Sequence, residues 1–278
     1  MFLRGAVITV LLAATCASAA QPELVTDRTT PARQAADAAL LKSLDRDVFS
    51  NGSYAGPTGT LGYRMMSPAV LQPGKRYPLI IVLHGSGAIG NDNSSQLGAL
   101  AMSWSAPVIR KRYPAYILVP QFAERSANYA PSAADGLLAA KPGPNLPTLR
   151  ALVETLKPQF AIDTDRIYVT GFSMGASAAT QAVLQDQNMY AAAVAFSGIA
   201  PDRTAAAQLK DLPLLLVHGE ADTENPIEPD RALFAALQRQ PGGAKARMLE
   251  YRGMEHTVPA DMLLATAWRD WLFAQHKR

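Results

Sequence analysis

The sequence predicts an α/β fold in which a mostly parallel central sheet is flanked by helices on both faces. Short apolar runs bounded by glycine or proline alternate with segments of helical periodicity. Runs that are apolar throughout are typical of strands buried on both faces, as in a parallel sheet. With 278 residues, of which 49% are hydrophobic, the chain is long enough to bury a large core. It contains no fixed-period repeat and no linker rich enough to divide it.

The predicted elements follow one another in regular order. Strands are predicted at residues 78–84, 116–120, 165–170, 191–196, 213–218 and 246–251. Helices are predicted at residues 96–111, 148–156, 174–187, 230–238 and 261–275. The longest irregular segment, residues 121–147, follows a predicted strand. It therefore belongs at the carboxyl edge of the sheet, where open α/β folds bind ligands.

The N-terminal residues have the layout of a secretory signal peptide. Arg4 is followed by an apolar run over residues 6–14 and then by small residues through Ala20. The run is shorter than the roughly 20 apolar residues that a membrane-spanning helix needs. We therefore predict a signal peptide at residues 1–20 and export to the periplasm or the medium, with no stable membrane span after cleavage. Cleavage would also remove the single cysteine, Cys16.

Two further units are predicted after the signal peptide. Residues 21–60 are expected to form an N-terminal extension, with a helix over residues 31–48 and a turn-rich loop over residues 50–59. The main domain is expected to occupy residues 61–278.

Charge and composition exclude several classes of protein. The 26 basic and 23 acidic residues give a net charge of +3. No run of lysine and arginine marks a nucleic-acid surface, so no nucleic-acid partner is expected. No cluster of cysteine and histidine has the spacing of a zinc site, so no metal site is expected.

Residues 171–175 (GFSMG) match the G-x-S-x-G pattern of a nucleophile elbow, in which a sharp strand-to-helix turn exposes a serine. A predicted strand precedes the motif and a predicted helix follows it, which is the setting that the turn requires. The alternative is a glycine- and serine-rich turn without chemistry. The context favours Ser173 as a nucleophile.

A serine nucleophile needs a base, and histidine is the usual one. His256 lies in a loop after the last predicted strand and before the last predicted helix. His84 and His218 each end a strand just before a glycine, where histidines more often fix a loop through hydrogen bonds. His276 lies in the C-terminal tail. The position of His256 makes it the predicted base.

The base in turn needs a carboxylate that orients its ring. Asp222 follows the fifth predicted strand, so that serine, aspartate and histidine occur in that order along the chain. Glu220 and Glu224 lie close by in sequence and are the alternatives to Asp222.

Two backbone N–H groups are expected to bind the oxyanion of a tetrahedral intermediate. The first belongs to Met174, directly after the serine. The second is expected from the glycine-rich turn after the strand at residues 78–84, with the Ser86 amide preferred and the Gly87 amide second. The alternative is a simple turn.

These motifs resemble those of the α/β-hydrolase superfamily, and most closely its small secreted serine esterases. The matching pieces are residues 83–87 (LHGSG), 91–93 (NDN), 119–121 (VPQ), 165–175 (DRIYVTGFSMG), His218-Gly219 with Asp222 and Pro226, and 271–273 (WLF). These esterases include predicted peptidase/esterase proteins, the phospholipase/carboxylesterase group, and feruloyl-esterase and polyhydroxybutyrate-depolymerase relatives. Two departures are Ala176, where relatives often have glycine, and Met254-Glu255 before the histidine.

The resemblance implies an α/β-hydrolase fold and hydrolysis of a carboxylic ester without a cofactor. Ser173 would attack the carbonyl, His256 would carry the proton and Asp222 would hold His256. The expected partner is a small-molecule ester, and the oligomeric state is left open. A peptidase or amidase with the same triad, an acyltransferase, and a catalytically silent binding protein of the same fold remain alternatives.

Substrate contacts are predicted for four aromatic residues that are expected near the site. They are Trp104, Phe122, Tyr129 and Phe172. A core role is an equal alternative for Trp104 and Phe172. Arg125 is predicted to form a surface salt bridge, with binding of an acidic substrate group as the alternative.

Overall fold

A computed structural model describes residues 20–241 and 245–277. The predicted signal peptide lies outside the described residues except for Ala20. Within the described part of the chain, no helix is long and apolar enough to cross a membrane.

A nine-stranded sheet forms the centre of the described fold. Two strands of the described residues, β6 (Ala127–Pro131) and β7 (Leu138–Pro142), lie outside it. Its own strands are β1 (Glu23–Val25), β2 (Ser50–Gly56), β3 (Gly59–Met66), β4 (Tyr77–Leu83), β5 (Tyr116–Gln121), β8 (Ile162–Phe172), β9 (Ala192–Phe196), β10 (Leu214–Gly219) and β11 (Ala246–Tyr251). The order in the sheet is β1-β11-β10-β9-β8-β4-β5-β3-β2. In this order, the neighbouring pairs from β1 through β11, β10, β9, β8 and β4 to β5 are all parallel. The last two pairs, β5 with β3 and β3 with β2, are antiparallel. The predicted fold class is confirmed.

Helices cover both faces of this sheet. They are α1 (Pro31–Ser43), α2 (Ala99–Met102), α3 (Pro107–Arg112), α4 (Leu146–Gln159), α5 (Met174–Gln185), α6 (Ala206–Leu209), α7 (Glu228–Gln238), α8 (Ala260–Leu263) and α9 (Ala267–Phe273). One face packs against α4 to α7, and the other against α1 to α3 with α8 and α9.

Strand β4 shows why the central runs are apolar throughout. Leu79, Ile81 and Leu83 pack into the core under α4 and α5. Ile80 and Val82, on the alternate positions, pack into the core on the opposite face. Because successive side chains of a strand point to opposite faces, a strand covered on both sides has no polar position.

The loop predicted at residues 50–59 is wrong. These residues form β2 and the start of β3, which pair as an antiparallel hairpin at the sheet edge. An edge strand with a solvent-facing side lacks the apolar run that identifies a buried strand. The glycine at position 52 has a structural reason: a Cβ there would lie 2.2 Å from the Tyr63 ring. Residues 21–60 thus supply both edge strands, β1 and β2.

The segment at residues 121–147 is less irregular than expected. It contains β6 and β7, which pair as a separate two-stranded antiparallel sheet. Two predicted helices are also divided. Residues 96–111 form α2 and α3, and Pro107 begins the second of these. Residues 261–275 form α8 and α9.

Candidate active site

Ser173 occupies a strained turn between β8 and α5. Its backbone has φ 57° and ψ −124°, a region that a residue with a side chain rarely adopts. The two motif glycines allow the turn to close. A Cβ at Gly171 would lie 2.3 Å from the Gly175 carbonyl oxygen, and one at Gly175 would lie 2.1 Å from the Leu83 oxygen. Glycine is therefore required at both positions by the close approach of the backbone.

The order of the strands places this turn at a crevice in the sheet. The chain leaves β4 toward β5 on one side, whereas β8 pairs with β4 on the other. The connections after β4 and after β8 therefore run in opposite directions along the sheet. Where the direction of connection reverses, the loops at the carboxyl ends of the two adjacent strands separate and leave space for a ligand. The loop after β4 and the turn after β8 border this space.

The structure brings together the three residues predicted to act on a substrate. His256 Nε2 lies 2.8 Å from Ser173 Oγ, and His256 Nδ1 lies 2.7 Å from Asp222 Oδ2. The Asp222 side chain is fully buried and the His256 ring is nearly so. The carboxylate accepts from Nδ1–H, which leaves the Nε2 lone pair to accept from the serine hydroxyl.

Asp222 rather than a neighbouring glutamate contacts His256 Nδ1. Its other oxygen, Oδ1, accepts hydrogen bonds from the backbone N–H groups of Glu224 at 3.0 Å and Asn225 at 2.8 Å. Glu220 is exposed. The Glu224 carboxylate approaches only the opposite ring nitrogen, at 3.9 Å, and its side chain is 75% exposed. The two alternative acids therefore do not occupy the orienting position.

The turn after β4 lies beside the serine. A Cβ at Gly85 would lie 3.5 Å from Ser173 Cβ. Ser86 and Gly87 follow in a short 3₁₀ turn, and as its first residues they have N–H groups without an acceptor inside the turn. Met174 is the first residue of α5 and has the same property. Binding of an oxyanion by these N–H groups stays a prediction.

His84 fixes this turn, as a histidine at a strand end was predicted to do. Its Nε2 accepts from the Phe122 N–H at 3.0 Å, and its Nδ1–H donates to the Gly85 carbonyl at 2.8 Å. The ring therefore joins the loops after β4 and β5. Burial lowers the pKa of His84 below its ordinary value of 6.5. A neutral ring suits this arrangement, because Nε2 must keep its lone pair to accept from an N–H group.

A largely apolar cavity of about 350 Å³ adjoins the site. Phe172, Gly85 and Thr257, which lie beside the serine or its histidine, form part of its wall. The Phe172 ring also packs on the His256 ring, with centroids 4.8 Å apart. The more distant wall consists of residues that sequence reasoning did not select, including Leu100, Val258 and Leu263. Nothing in the sequence distinguishes these from ordinary core residues.

Two predicted substrate contacts are wrong. Trp104 is 1% exposed and packs in the core, where its ring lies against Trp268 and the Arg269 guanidinium. Phe122 is 0% exposed, and its ring packs beside His84. Aromatic residues near a loop were expected to face a pocket, but their large apolar area is more stable inside the core.

The fourth aromatic residue lies over α5. Tyr129, on β6, has its hydroxyl 3.3 Å from Ser177 Oγ, one helical turn beyond Ser173. Substrate contact by Tyr129 stays a prediction. Arg125 stacks on the Tyr129 ring at 5.1 Å and donates to the Ala127 carbonyl. The salt bridge predicted for Arg125 is not among the ion pairs of the described residues.

Comparison with known proteins agrees with this arrangement. A family model described as Phospholipase/Carboxylesterase matches residues 144–267, which include the serine, the aspartate and the histidine. A crystal structure of a thermostable esterase superposes with a TM-score of 0.73 and 27% sequence identity, over 83% of this chain and 64% of that chain. The family model covers less than half of the chain, and the chain spans 64% of the esterase's own length. The chain has the α/β-hydrolase fold. A search of curated proteins gives no match.

More distant α/β-hydrolase structures share the fold alone. A ferulic acid esterase from Anaeromyces mucronatus has a TM-score of 0.56 and 18% identity, over 77% of this chain and 86% of that chain. A dipeptidyl aminopeptidase IV from Bacteroides ovatus, itself described as putative, has a TM-score of 0.58 and 18% identity, over 82% of this chain and 36% of that chain. Esterases and peptidases thus share this superfamily fold, and the fold does not select between them.

Proposed function

We propose that this α/β-hydrolase is a serine hydrolase that cleaves carboxylic esters through an acyl-enzyme intermediate. The observation that carries the proposal is the continuous hydrogen-bonded chain from Ser173 Oγ through His256 to Asp222, with contacts of 2.8 and 2.7 Å. It begins at a serine held in a strained turn, beside N–H groups that have no acceptor within their own helical turns. That combination serves nucleophilic attack on a carbonyl.

The reaction follows from these positions. Ser173 Oγ attacks the ester carbonyl carbon while His256 Nε2 takes its proton. The oxyanion binds the Met174 N–H and an N–H of the turn at Ser86 or Gly87. Collapse of this intermediate breaks the ester bond, and the leaving alcohol takes the proton from His256. Water then attacks the acyl-enzyme, His256 takes a proton from it, and the carboxylic acid and free Ser173 are formed.

The cavity supports a small substrate. Its volume of about 350 Å³ is near the lower end of the range for ligand sites, roughly 300–1,000 Å³. Its wall is mainly apolar, with Phe172, Leu100 and Val258 among the lining residues. Such a site accommodates a short acyl or alcohol group better than a long fatty chain.

Labelling with a fluorophosphonate probe tests the nucleophile. We expect the mature protein to be labelled and Ser173→Ala to be unlabelled. Ser126→Ala is a matched control, because Ser126 is buried and its hydroxyl has no hydrogen-bond partner among the described residues. Absence of labelling in the folded wild-type protein would refute the proposal and favour a silent binding protein.

Turnover of paired substrates then tests the bond that is cleaved. A series of p-nitrophenyl esters is compared with p-nitroanilides of the same acyl groups. We expect kcat/KM to be highest for short esters and lower for every matched anilide. Faster anilide cleavage would indicate a peptidase or amidase, and ester products formed with added alcohol would indicate acyl transfer.

Export is a separate part of the proposal, supported by the layout of residues 1–20. We propose that this segment is removed on export to the periplasm or the medium. Mass spectrometry of protein recovered from a secreting host is expected to place the mature N-terminus near Ala20 or Gln21. A retained Met1 would contradict cleavage.

A further inference from the structure

A second histidine–aspartate pair lies directly behind Asp222. His218, the next-to-last residue of β10, is 0% exposed. Its Nδ1 lies 2.8 Å from Oδ2 of Asp230, a buried residue of α7. Its Nε2 lies 2.9 Å from the Asn225 carbonyl oxygen. The reaction described above makes no use of His218 or Asp230.

Both ring nitrogens of His218 face atoms that only accept hydrogen bonds. A carbonyl oxygen cannot donate, and neither can an ionised carboxylate, so each nitrogen must carry its own proton. Burial by itself would lower the pKa of His218, but Asp230, assisted by the Asn225 carbonyl and Asp222, outweighs it and raises the pKa above its ordinary value. The geometry and the charges both describe a buried imidazolium.

The imidazolium also contacts the acid of the reaction. His218 Nε2 lies 3.3 Å from Asp222 Oδ2, the same oxygen that lies 2.7 Å from His256 Nδ1. The opposite oxygen of Asp222 is held by backbone N–H groups of the loop that follows. That loop is itself anchored, because Asn225 Nδ2 donates to the Ser197 carbonyl at 2.8 Å. Both oxygens of the Asp222 carboxylate thus have hydrogen-bonding partners in addition to His256.

Asp230 supplies the negative charge that balances the His218 imidazolium. An isolated imidazolium beside Asp222 would cancel much of the negative charge that favours protonation of His256. Asp230 neutralises His218, so the charge of Asp222 continues to act on His256. From the neighbouring strand, Glu250 stands in register with His218, and its carboxylate is already paired with Arg231 at 2.7 Å.

We propose that His218, held as an imidazolium by Asp230, is a positioning residue that fixes the Asp222 carboxylate against His256. The unit then runs Asp230–His218–Asp222–His256–Ser173, with one net negative charge while His256 is neutral. The inference rests on the proposed hydrolase function, because it assigns a role to Asp222 in the reaction.

Isosteric variants test the pair through kinetics. In Asp230→Asn, kcat is expected to fall roughly 10- to 100-fold, the size expected for a lost buried hydrogen bond to a charged group, with KM nearly unchanged because neither residue touches substrate. We expect His218 to keep its proton in this variant, because Asp222 and the Asn225 carbonyl still face its ring. The acid limb of the kcat/KM profile is then expected to move to lower pH, because the imidazolium, no longer neutralised by Asp230, offsets part of the negative charge that faces His256. His218→Gln is expected to lower kcat similarly, and the double variant no further, since the two residues act as one unit.

Glu250→Gln is the matched control. It removes one carboxylate from the neighbouring strand and breaks an ion pair to the same helix, but no hydrogen bond or ion pair of the described residues joins it to His218. We expect its acid limb and kcat to match the wild type. A shift in this control equal to that of Asp230→Asn would overturn the proposal in favour of a general charge effect. Additive losses in the double variant would also overturn it.

Nuclear magnetic resonance of ¹⁵N-histidine tests the charge of His218 without relying on activity. The chain has only four histidines, so His218→Gln assigns the signal. At neutral pH we expect two protonated ring nitrogens on His218 in the wild type and in Ser173→Ala. One unprotonated nitrogen on His218 would refute the proposal whatever the rates of the kinetic variants. Fluorophosphonate labelling of the wild type reports separately on the hydrolase function, so the two failures are distinguishable.

Discussion

Replacing Gly175 by alanine tests whether the turn around Ser173 depends on the close approach of two backbone segments. The added Cβ would lie 2.1 Å from the Leu83 carbonyl oxygen and 2.7 Å from the His84 oxygen, whereas ordinary contacts begin at 3.4 Å. The start of α5 and the end of β4 would have to separate by about 1 Å. Leu83 cannot yield easily, because it pairs with Gly171 across β4 and β8.

The magnitude follows from this geometry. Overpacking commonly costs about 1–3 kcal/mol, and the upper end applies here because both obstacles are backbone atoms. A loss of about 3 kcal/mol lowers Tm by roughly 6–12 °C in a domain of this size. Moving α5 away from β4 also moves Ser173 and Met174 relative to the turn at Ser86. A displacement of about 1 Å in reacting groups can cost about 100-fold in rate.

Thermal unfolding and hydrolysis of p-nitrophenyl acetate provide the assays. Gly62→Ala serves as the control, because a Cβ at Gly62 would make only an ordinary contact, 3.5 Å from the Asn93 side chain. We expect Gly175→Ala to lose both stability and kcat/KM, and Gly62→Ala to retain activity. A Gly175→Ala protein with the Tm and kcat/KM of the wild type would refute the argument that close packing shapes this turn.

Three other variants probe the site and its support. Asp222→Asn is expected to lower kcat for short esters by about 10³- to 10⁴-fold while the protein stays folded, because the amide stabilises the wrong tautomer of the His256 ring. A loss below tenfold would contradict the assignment of Asp222 as the acid. Arg269→Leu is expected to cost about 3 kcal/mol or more in urea unfolding. The fully buried guanidinium donates to carbonyls of residues 263 and 265 and lies within 4.5 Å of two tryptophan ring centroids; an unchanged midpoint would contradict this. His84→Gln is expected to retain both hydrogen bonds of the ring while removing its titration. Because the folded-state pKa of His84 lies below 6.5, the unfolded state takes up its proton first and stability falls as pH drops below that value. The variant should therefore lose less stability than the wild type between about pH 8 and pH 5 in urea, and an identical pH dependence would contradict the inference.

Local chemistry made the nucleophile and the central strands predictable. The glycines on either side of Ser173 are required by contacts within a few residues and by the adjacent strand end, so the motif is visible in the sequence. The strands at the centre of the sheet are apolar at every position because both faces are covered. The positions of Asp222 and His256 followed from their places after successive strands, since strand ends in a parallel sheet meet at one edge.

Edge strands and aromatic residues were harder to interpret. Strand β2 is polar and glycine-rich because one side meets solvent and because Gly52 makes room for the Tyr63 ring, a contact between separate strands. Trp104 and Phe122 have the same residue chemistry as Phe172, yet only Phe172 borders the cavity. Which face an aromatic ring presents depends on the packing of distant elements, and a local pattern does not contain that information.

By itself the sequence determined the fold class, the nucleophile elbow and the chain order of Ser173, Asp222 and His256, because each depends on residue type over a short span or on the order of strands. Only the tertiary structure decided that Asp222 rather than Glu224 faces His256, that the cavity is small, and that His218 and Asp230 stand behind the acid. Those features arise where separate loops and helices converge. The contacts that define these features join atoms of different loops, strands and helices, and a local sequence pattern describes each of those elements separately.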